Sequence, residues 1–474
     1  MNLLVDFPSI VKRYAVYFDD CFSEKGLIHF KKAISGFIVS ENKTLTAINR
    51  LMVNHQVNQS SFNRFFNAQN FDLEQINSTR LAMLQDQAAT RFKVATHSSG
   101  ACLVIDNTLL SHWGECFDHI CNLRDYVNGG YKWSHDLVTL HYSDHQTDYP
   151  VYYQLWEPPN WEAVAEYLRQ KDFPIREDKW QNRHNEVQKW KNYIRSRYRL
   201  GRKKHPGVVQ VYQTKIHIAE QLLGKFVANY PNLDYPITLD NGFTSSELCQ
   251  TIDQELQRTY VGALREDQKL ILAGNEKRSL KDFTDQLVAE HSAQDTKPVF
   301  RKVGYRLNGQ LKHLYAYTAN HRVNQFKKKQ RLVIAFAKPE LTGTPYYAIT
   351  NQLNWRPSDI LRLHRQRWDV ETYHQESKAE GLDQYQVRNL TAIQSYIAFV
   401  VITYSMLKCT IHDDELLSTI RQRLQTETKF TLPFLRRLMQ NEALMVLVEF
   451  IFVKIQKGHS LDHVLHPLIE AVTY

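Results

Sequence analysis

Through residues 1 to about 95, apolar side chains recur at three- and four-residue intervals, as in Leu27, Ile28, Phe30, Ile34, Phe37 and Ile38, and this spacing predicts helices. Thr44 to Val53 reads as one helix with Leu45, Ile48, Leu51 and Met52 inward. Gln59 to Asn67 reads as a second, capped by Asn58 or Ser60 and joined to the first by the polar link Asn54-His55-Gln56. The texture changes at Ser98-Ser99-Gly100. Ala101 to Ile105 is a continuous apolar run ending in Asp106, the pattern of a buried strand that delivers an acid. Ser134 to Tyr142 and Val151 to Leu155 read as two more strands of an antiparallel meander, with a polar turn from Ser143 to Asp148. A helical stretch around Trp180 to Tyr198, a helix near Lys215 to Asn229 and a short strand Pro236 to Leu239 follow, the strand leading into Asp240 and the turn Asn241-Gly242. Val299 to Leu307, Leu311 to Thr318 and Arg331 to Phe336 are candidate strands, with Asn308-Gly309 as a hairpin turn. Beyond the short strand Tyr346 to Thr350, one long helical pattern covers roughly 357 to 380, and helices continue to Tyr474.

Composition narrows the class. A chain of 474 residues is too long for one small binding module, and 43% hydrophobic residues with 12% aromatics exclude wholesale disorder. The net charge of +9 and pI near 9.0 favour a polyanionic partner. Six scattered cysteines without a Cys-x-x-Cys pair argue against a disulfide framework and fit a reducing compartment. The nearest metal-like group, His112, Cys116, His119 and Cys121, lacks the loop that separates two zinc-ligand pairs, and is expected to be a helix with half-buried thiols. The first residues are too weakly apolar for a secretory signal, and the runs Tyr396 to Leu407 and Ala443 to Ile455 fall short of a membrane span, so no membrane partner is expected.

The chemistry concentrates in a few places. On the pattern 357 to 380, a rotation of about 100° per residue puts His364, Arg367, Glu371 and Lys378 on one face, with Glu376 and Glu380 opposite. A surface helix with an Arg367–Glu371 ion pair would look the same locally. With Asp106 and Asp240, however, Glu371 completes three hard oxygen ligands suited to Mg²⁺ or Mn²⁺, and two such ions can drive an in-line displacement at a phosphodiester. The paired helices 44 to 53 and 59 to 67 have a helix-turn-helix pattern whose second helix carries Gln59, Ser60, Asn63 and Arg64, side chains able to contact bases or phosphates. Two basic runs, Arg195 to His205 with Arg199, Arg202, Lys203 and Lys204, and Lys327 to Arg331, are further candidates for DNA contact.

These residues resemble the DDE transposases of bacterial insertion sequences, in the group with a Tyr-x2-Arg-x3-Glu-x6-Lys signature. Here the signature reads His364-x2-Arg367-x3-Glu371-x6-Lys378, preceded by Tyr346-Tyr347-x2-Thr350-Asn351 and followed by Gly381-Leu382-Asp383. One departure is His364 in place of the tyrosine. The resemblance covers about residues 100 to 410. It implies Asp106, Asp240 and Glu371 as catalytic and metal-binding acids, two Mg²⁺ or Mn²⁺ ions, and Arg367, Lys378, His364 and Trp368 at the DNA. It also implies an RNase H-like α/β core interrupted by a β-rich insertion, with helical N- and C-terminal regions.

The expected organisation is a helical end-binding region at 1–95, core segments at 96–260 and 345–410, the β-rich insertion at 261–344 and a helical tail at 411–474. The resemblance implies cut-and-paste transposition: hydrolysis at transposon ends, then joining of the 3′-hydroxyls to target DNA. The expected setting is a homodimer on paired terminal inverted repeats in the bacterial cytoplasm, associated with the nucleoid. The alternative is a catalytically silent, transposase-derived DNA-binding or repressor protein. The C-terminal apolar helices, Leu438 to Ile455 especially, are candidates for a dimer interface or for intramolecular packing.

Overall fold

The computed structural model describes residues 3–54, 58–96, 99–125, 128–175, 187–292, 298–307, 309–424 and 430–473. Its centre is a mixed sheet of β1 (Cys102–Ser111), β2 (Cys121–Arg124), β3 (Tyr131–Ser143), β4 (Asp148–Trp156), β5 (Ile237–Leu239), β6 (Tyr260–Ala263), β7 (Lys269–Ile271), β8 (Lys277–Ser279), β9 (Arg301–Leu307), β10 (Gln310–Val323), β11 (Gln330–Phe336) and β12 (Tyr346–Thr350). The strand order is β2-β3-β1-β5-β6-β12-β11-β10-β7-β8, with β4 also on β3 and β9 also on β10. β1, β3 and β4 form the expected antiparallel meander. β5 returns parallel to β1 after a long helical crossover, and β6 is parallel to β5.

Side chains of β3 alternate between two covered faces. His141 stacks on Tyr373 and Ser143 bonds Asp369, both on the helix Trp368–Ala379. Asp136 on the other face receives Lys215, from the helix Lys215–Asn229. A sheet covered on both faces explains the near-continuous burial of β1 and β3.

Three expectations change. β1 does not end at Asp106 but runs five residues further, because Asn107, Thr108 and their successors keep pairing with β3. The strands of 261–344 are not set apart: β12 hydrogen-bonds to β11 on one side and β6 on the other, so this segment extends the core sheet. The pattern at 357 to 380 is two helical segments, Pro357–Gln366 and Trp368–Ala379, meeting at Arg367, whose backbone stays right-handed helical (φ −50°, ψ −28°). Tertiary bonds hold this junction. Gln366 Nε2 donates to Gly100 O and Ser143 Oγ, both at 2.9 Å, and Ser143 Oγ lies 2.5 Å from Asp369 Oδ2.

The N-terminal helices are present, and they pack into the same apolar core as the sheet rather than on a core of their own. The helix Leu390–Ile411 organises that packing, touching Glu24–Val39, Gln59–Ala68 and Leu73–Asp86. It is long and apolar enough by composition to cross a membrane, yet 83% of its most apolar window is buried inside this protein. A satellite core of Val164, Ala165, Leu168, Ile194, Tyr198 and Val208 carries the basic helix Val187–Lys204. The expected helix start near Trp180 lies outside the described residues, as does Asn308 of the hairpin turn. In the C-terminal helix Leu432–Gln456, Leu438, Met439 and Ala443 are buried, while Leu444, Val448, Phe452 and Ile455 are exposed.

Candidate active site

Register brings the first two acids together. Ile105 of β1 pairs with Leu239 of β5, so Asp106 and Asp240 each stand one residue beyond a matched pair of parallel strands and project to the same face. That face is the one covered by Trp368–Ala379, since Asp106 pairs with Thr139, on the His141 side of β3. A tight turn fixes Asp240: Phe243 N–H donates to its Oδ1 at 2.8 Å, and Thr244 Oγ1 to its carbonyl at 2.6 Å. A Cβ on Gly242 would stand 3.3 Å from Asp240 Oδ2, so the glycine leaves room at the carboxylate.

Asp106, Asp240 and Glu371 line one cleft of about 410 Å³, together with Asn107, Thr108, Asn241, Arg367, His374, Gln375 and Lys378. Arg367 stands between two of the acids, 3.3 Å from Asp106 Oδ2 and 2.6 Å from Glu371 Oε1. Burial and the charge of Asp240 push the Asp106 carboxyl up to about 7, against the pull of Arg367 and the Asn107 N–H. Burial holds Lys378 below the usual lysine range despite nearby Asp383 and Asp125.

Among the described residues, no three His, Cys, Asp or Glu side chains are already drawn together closely enough to hold a metal ion. At this cleft the Arg367 guanidinium occupies the space between Asp106 and Glu371. The donor set nonetheless fits Mg²⁺ or Mn²⁺: three carboxylates converge on one cleft with one guanidinium to offset them.

The other expected residues fall in different places. His364 is not in the cleft. It stands on Pro357–Gln366 with its ring 6.1 Å from Tyr346, and burial with Arg367 and Arg365 pushes it down to about 4, a neutral imidazole. Trp368, next to Arg367, is 57% exposed and not a core residue. Glu376 and Glu380 lie away from the cleft as expected; Glu380 is fully buried against Arg436. Gln59 and Asn63 bond each other at 2.8 Å and Arg64 is exposed, on a helix capped by Asn58 and seated on Leu390–Ile411 through Phe65 and Phe66, which pack on Phe399. Arg195 and Arg199 are exposed, whereas the side chains of Arg202, Lys203 and Lys204 lie outside the described residues. The zinc-like group does not assemble, and its expected helix is absent. His112 stacks on Tyr385 and Phe117, His119 pairs with Glu157, and the segment between them is a loop.

His374 was not anticipated. It lines the cleft, is 7% exposed, and its buried Nε2 has no hydrogen-bond partner among the described residues. Burial, with His141 and Lys378, holds it well below the usual histidine range. Its spacing of three residues from Glu371 is the signal that could have marked it.

Two family models match the chain. A model described as DDE superfamily endonuclease matches residues 21–281, more than half of the chain, and spans Asp106 and Asp240. The chain belongs to the DDE superfamily. A second model, described as Transposase DDE domain, matches residues 208–406 and spans Asp240 and Glu371, so the two together frame all three acids of this DDE protein. No curated protein matches it. Among solved structures, the cryo-EM structure of the piggyBac transposase synaptic complex with hairpin DNA is similar at 10% identity and a TM-score of 0.39, over 99% of this chain and 81% of that one.

Proposed function

We propose that this DDE protein is a cut-and-paste DNA transposase. It hydrolyses the phosphodiester at each transposon end and joins the freed 3′-hydroxyl to target DNA, with Asp106, Asp240 and Glu371 as the catalytic acids. The observation that carries the reading is the convergence of these three acids with Arg367 and Lys378 on one cleft. The strand order β4-β3-β1-β5-β6, with three antiparallel strands followed by two parallel ones, supports an RNase H-like core.

Asp106, Asp240 and Glu371 would hold two Mg²⁺ or Mn²⁺ ions, which when bound supply Lewis-acid activation of the attacking oxygen and stabilisation of the leaving one. Arg367 offers a planar fork, and Lys378 a compact ammonium, to the non-bridging phosphate oxygens. The burial of Asp106 and the Thr139 side of β3 keep bulk water from the base of the cleft, which strengthens these charge interactions. Trp368 presents an exposed ring to a base unstacked near the cut. Transposon ends recognised through Gln59, Asn63 and Arg64, and a homodimer on paired ends, complete the proposal.

The test is cleavage and strand transfer with Mg²⁺ on duplexes carrying the inverted repeats that border the gene. Asp240→Asn and Glu371→Gln are each expected to lose joining on the order of a thousandfold while still binding the ends. Equal activity in wild type and variants would overturn the assignment; binding without cutting in all three would favour a silent DNA-binding protein.

A further inference from the structure

Positive charge is unevenly distributed along this chain. Between Asp295 and Glu340 there are eleven lysines and arginines and no carboxylate. That exceeds the +9 net charge of the whole protein, so the remainder is on balance slightly acidic. The segment comprises β9, β10, β11 and their turns.

The β9–β10 register shows how the charge is presented. Lys302 pairs with Tyr315, Gly304 with His313 and Arg306 with Leu311, so these six share a face. Tyr305, Leu314 and Ala316 point the other way and are buried, which leaves the first face to solvent, with Lys302, Arg306, Leu311 and His313 exposed. Gly304, between the two cations, keeps this face flat. Arg301 and Lys312, also exposed, pair with Ala316 and Tyr305 and so belong to the opposite face. None of Arg301, Lys302, Arg306 and Lys312 has an acidic partner among the described residues. In the segment just before, by contrast, Arg265 pairs with Asp267, Arg278 with Glu276 and Lys281 with Asp285.

At the far end of β10, Lys327 and Lys328 line a cleft of about 920 Å³ with Arg195 and Arg199 of the basic helix. Glu247, Asp253 and Glu255 line it too, and Lys328 is paired with Asp253 at 2.6 Å, so the charge there is mixed. The hairpin face is the one without compensation. Uncompensated cations held on a rigid two-stranded ribbon repel one another, and a row of phosphates relieves that repulsion while releasing counterions. The helix Pro357–Gln366 packs against β9 and leads directly into Arg367, which ties the hairpin to the element that carries the acid cleft.

We propose that the outer face of the β9–β10 hairpin binds the phosphate backbone of duplex DNA outside the acid cleft, without reading its sequence. The inference rests on the transposase reading above and adds to it a surface that no catalytic residue occupies.

The test is a fluorescence anisotropy titration of the full chain with a random-sequence duplex over a range of salt concentrations. The double variant Lys302→Gln, Arg306→Gln is expected to bind at least about fivefold more weakly at low salt, with the slope of log K against log salt shallower by about two contacts. The loss should be the same for random and end-derived duplexes. A charge-retaining variant, Lys302→Arg, Arg306→Lys, is expected to bind as wild type does. Unchanged affinity and slope in the Gln variant would overturn the inference, as would an equal loss in the charge-retaining one. Wild-type protein that binds and cuts DNA while the Gln variant binds equally well removes this inference alone; wild-type protein that neither binds nor cuts removes the transposase reading with it.

Discussion

The guanidinium of Arg367 lies 3.3 Å from the carboxylate of Asp106 and also 2.6 Å from Glu371, so one cation links an acid on the sheet to an acid on the helix above it. This is more than a helical i,i+4 pair, because the second contact crosses from helix to strand. Arg367→Gln removes the positive charge that offsets three carboxylates and the fork that would meet the phosphate. Cutting is expected to fall by about a hundredfold. Arg367→Lys keeps the charge without the bidentate geometry and should recover part of the rate. Single-turnover cleavage at saturating DNA measures both; equal rates for Lys and Gln would show that charge at this position is not what matters.

Trp368 begins the helix that carries Glu371 and leaves more than half its surface to solvent. A ring so placed contributes little to the fold, and Trp368→Ala should shift stability by no more than about 0.5 kcal/mol. If the ring stacks on an unpaired base, that contact is worth about 1–3 kcal/mol, and joining should drop by roughly ten- to a hundredfold. Trp368→Phe should retain most activity. A large fall in melting temperature for the alanine variant, with joining intact, would return the residue to a packing role.

The acids were readable because their setting is local. An apolar run that meets an aspartate marks Asp106, a strand before Asn-Gly marks Asp240, and Glu371 is spaced from Arg367 and Lys378 along helical turns. What escaped the sequence depends on distant partners. Asp106, Asn107 and Thr108 interrupt the apolar pattern because Asp106 and Thr108 face the cleft and Asn107 bonds Asp136, yet the backbone there remains strand. The seating of Pro357–Gln366, with His364 against Tyr346 rather than in the cleft, rests on contacts such as those of Gln366 to Gly100 and Ser143, and helical periodicity carries no trace of them. The continuity of β6, β12 and β11 is likewise a matter of pairing between strands far apart in sequence.

Asp148 anchors the underside of the acid helix. Its carboxylate accepts from Lys408 Nζ at 2.6 Å and Tyr404 Oη at 3.1 Å, and lies 3.2 Å from His141 Nε2. Burial alone would raise this carboxyl, but Lys408 and His141 outweigh it and hold it well below the usual aspartate range. A depressed acid stabilises the fold fully above the unfolded value of about 3.9, and that contribution is lost as pH falls toward the folded value. Asp148→Asn leaves Lys408 buried without its counter-charge, at a cost of about 3–5 kcal/mol near neutrality. Melting temperature followed from about pH 7 down to pH 3 should start lower in the variant and decline less steeply below pH 4. Parallel acid limbs in the two proteins would show that Asp148 is not the group that titrates.

His374 and His364 make opposite predictions from the same residue type. His374 lines the cleft that holds Asp106, Asp240 and Glu371, and its buried Nε2 has no partner among the described residues, whereas His364 stands outside it on the preceding helix. Leaving a buried polar atom unpaired costs about 1–3 kcal/mol, a cost tolerated where a bound substrate supplies the missing partner. Held neutral by burial, this imidazole can accept a proton from an attacking hydroxyl or water, or bond a phosphate oxygen through the same nitrogen. His374→Ala is therefore expected to slow cleavage by about a hundredfold with DNA affinity unchanged and stability equal or slightly raised, and His374→Gln to restore part of the rate. His364→Ala should change cleavage by no more than a few-fold, since its ring lies against Tyr346. If His364 proves the more damaging of the two, its place against Tyr346 does not separate it from the reaction, and the cleft must close over it when DNA binds.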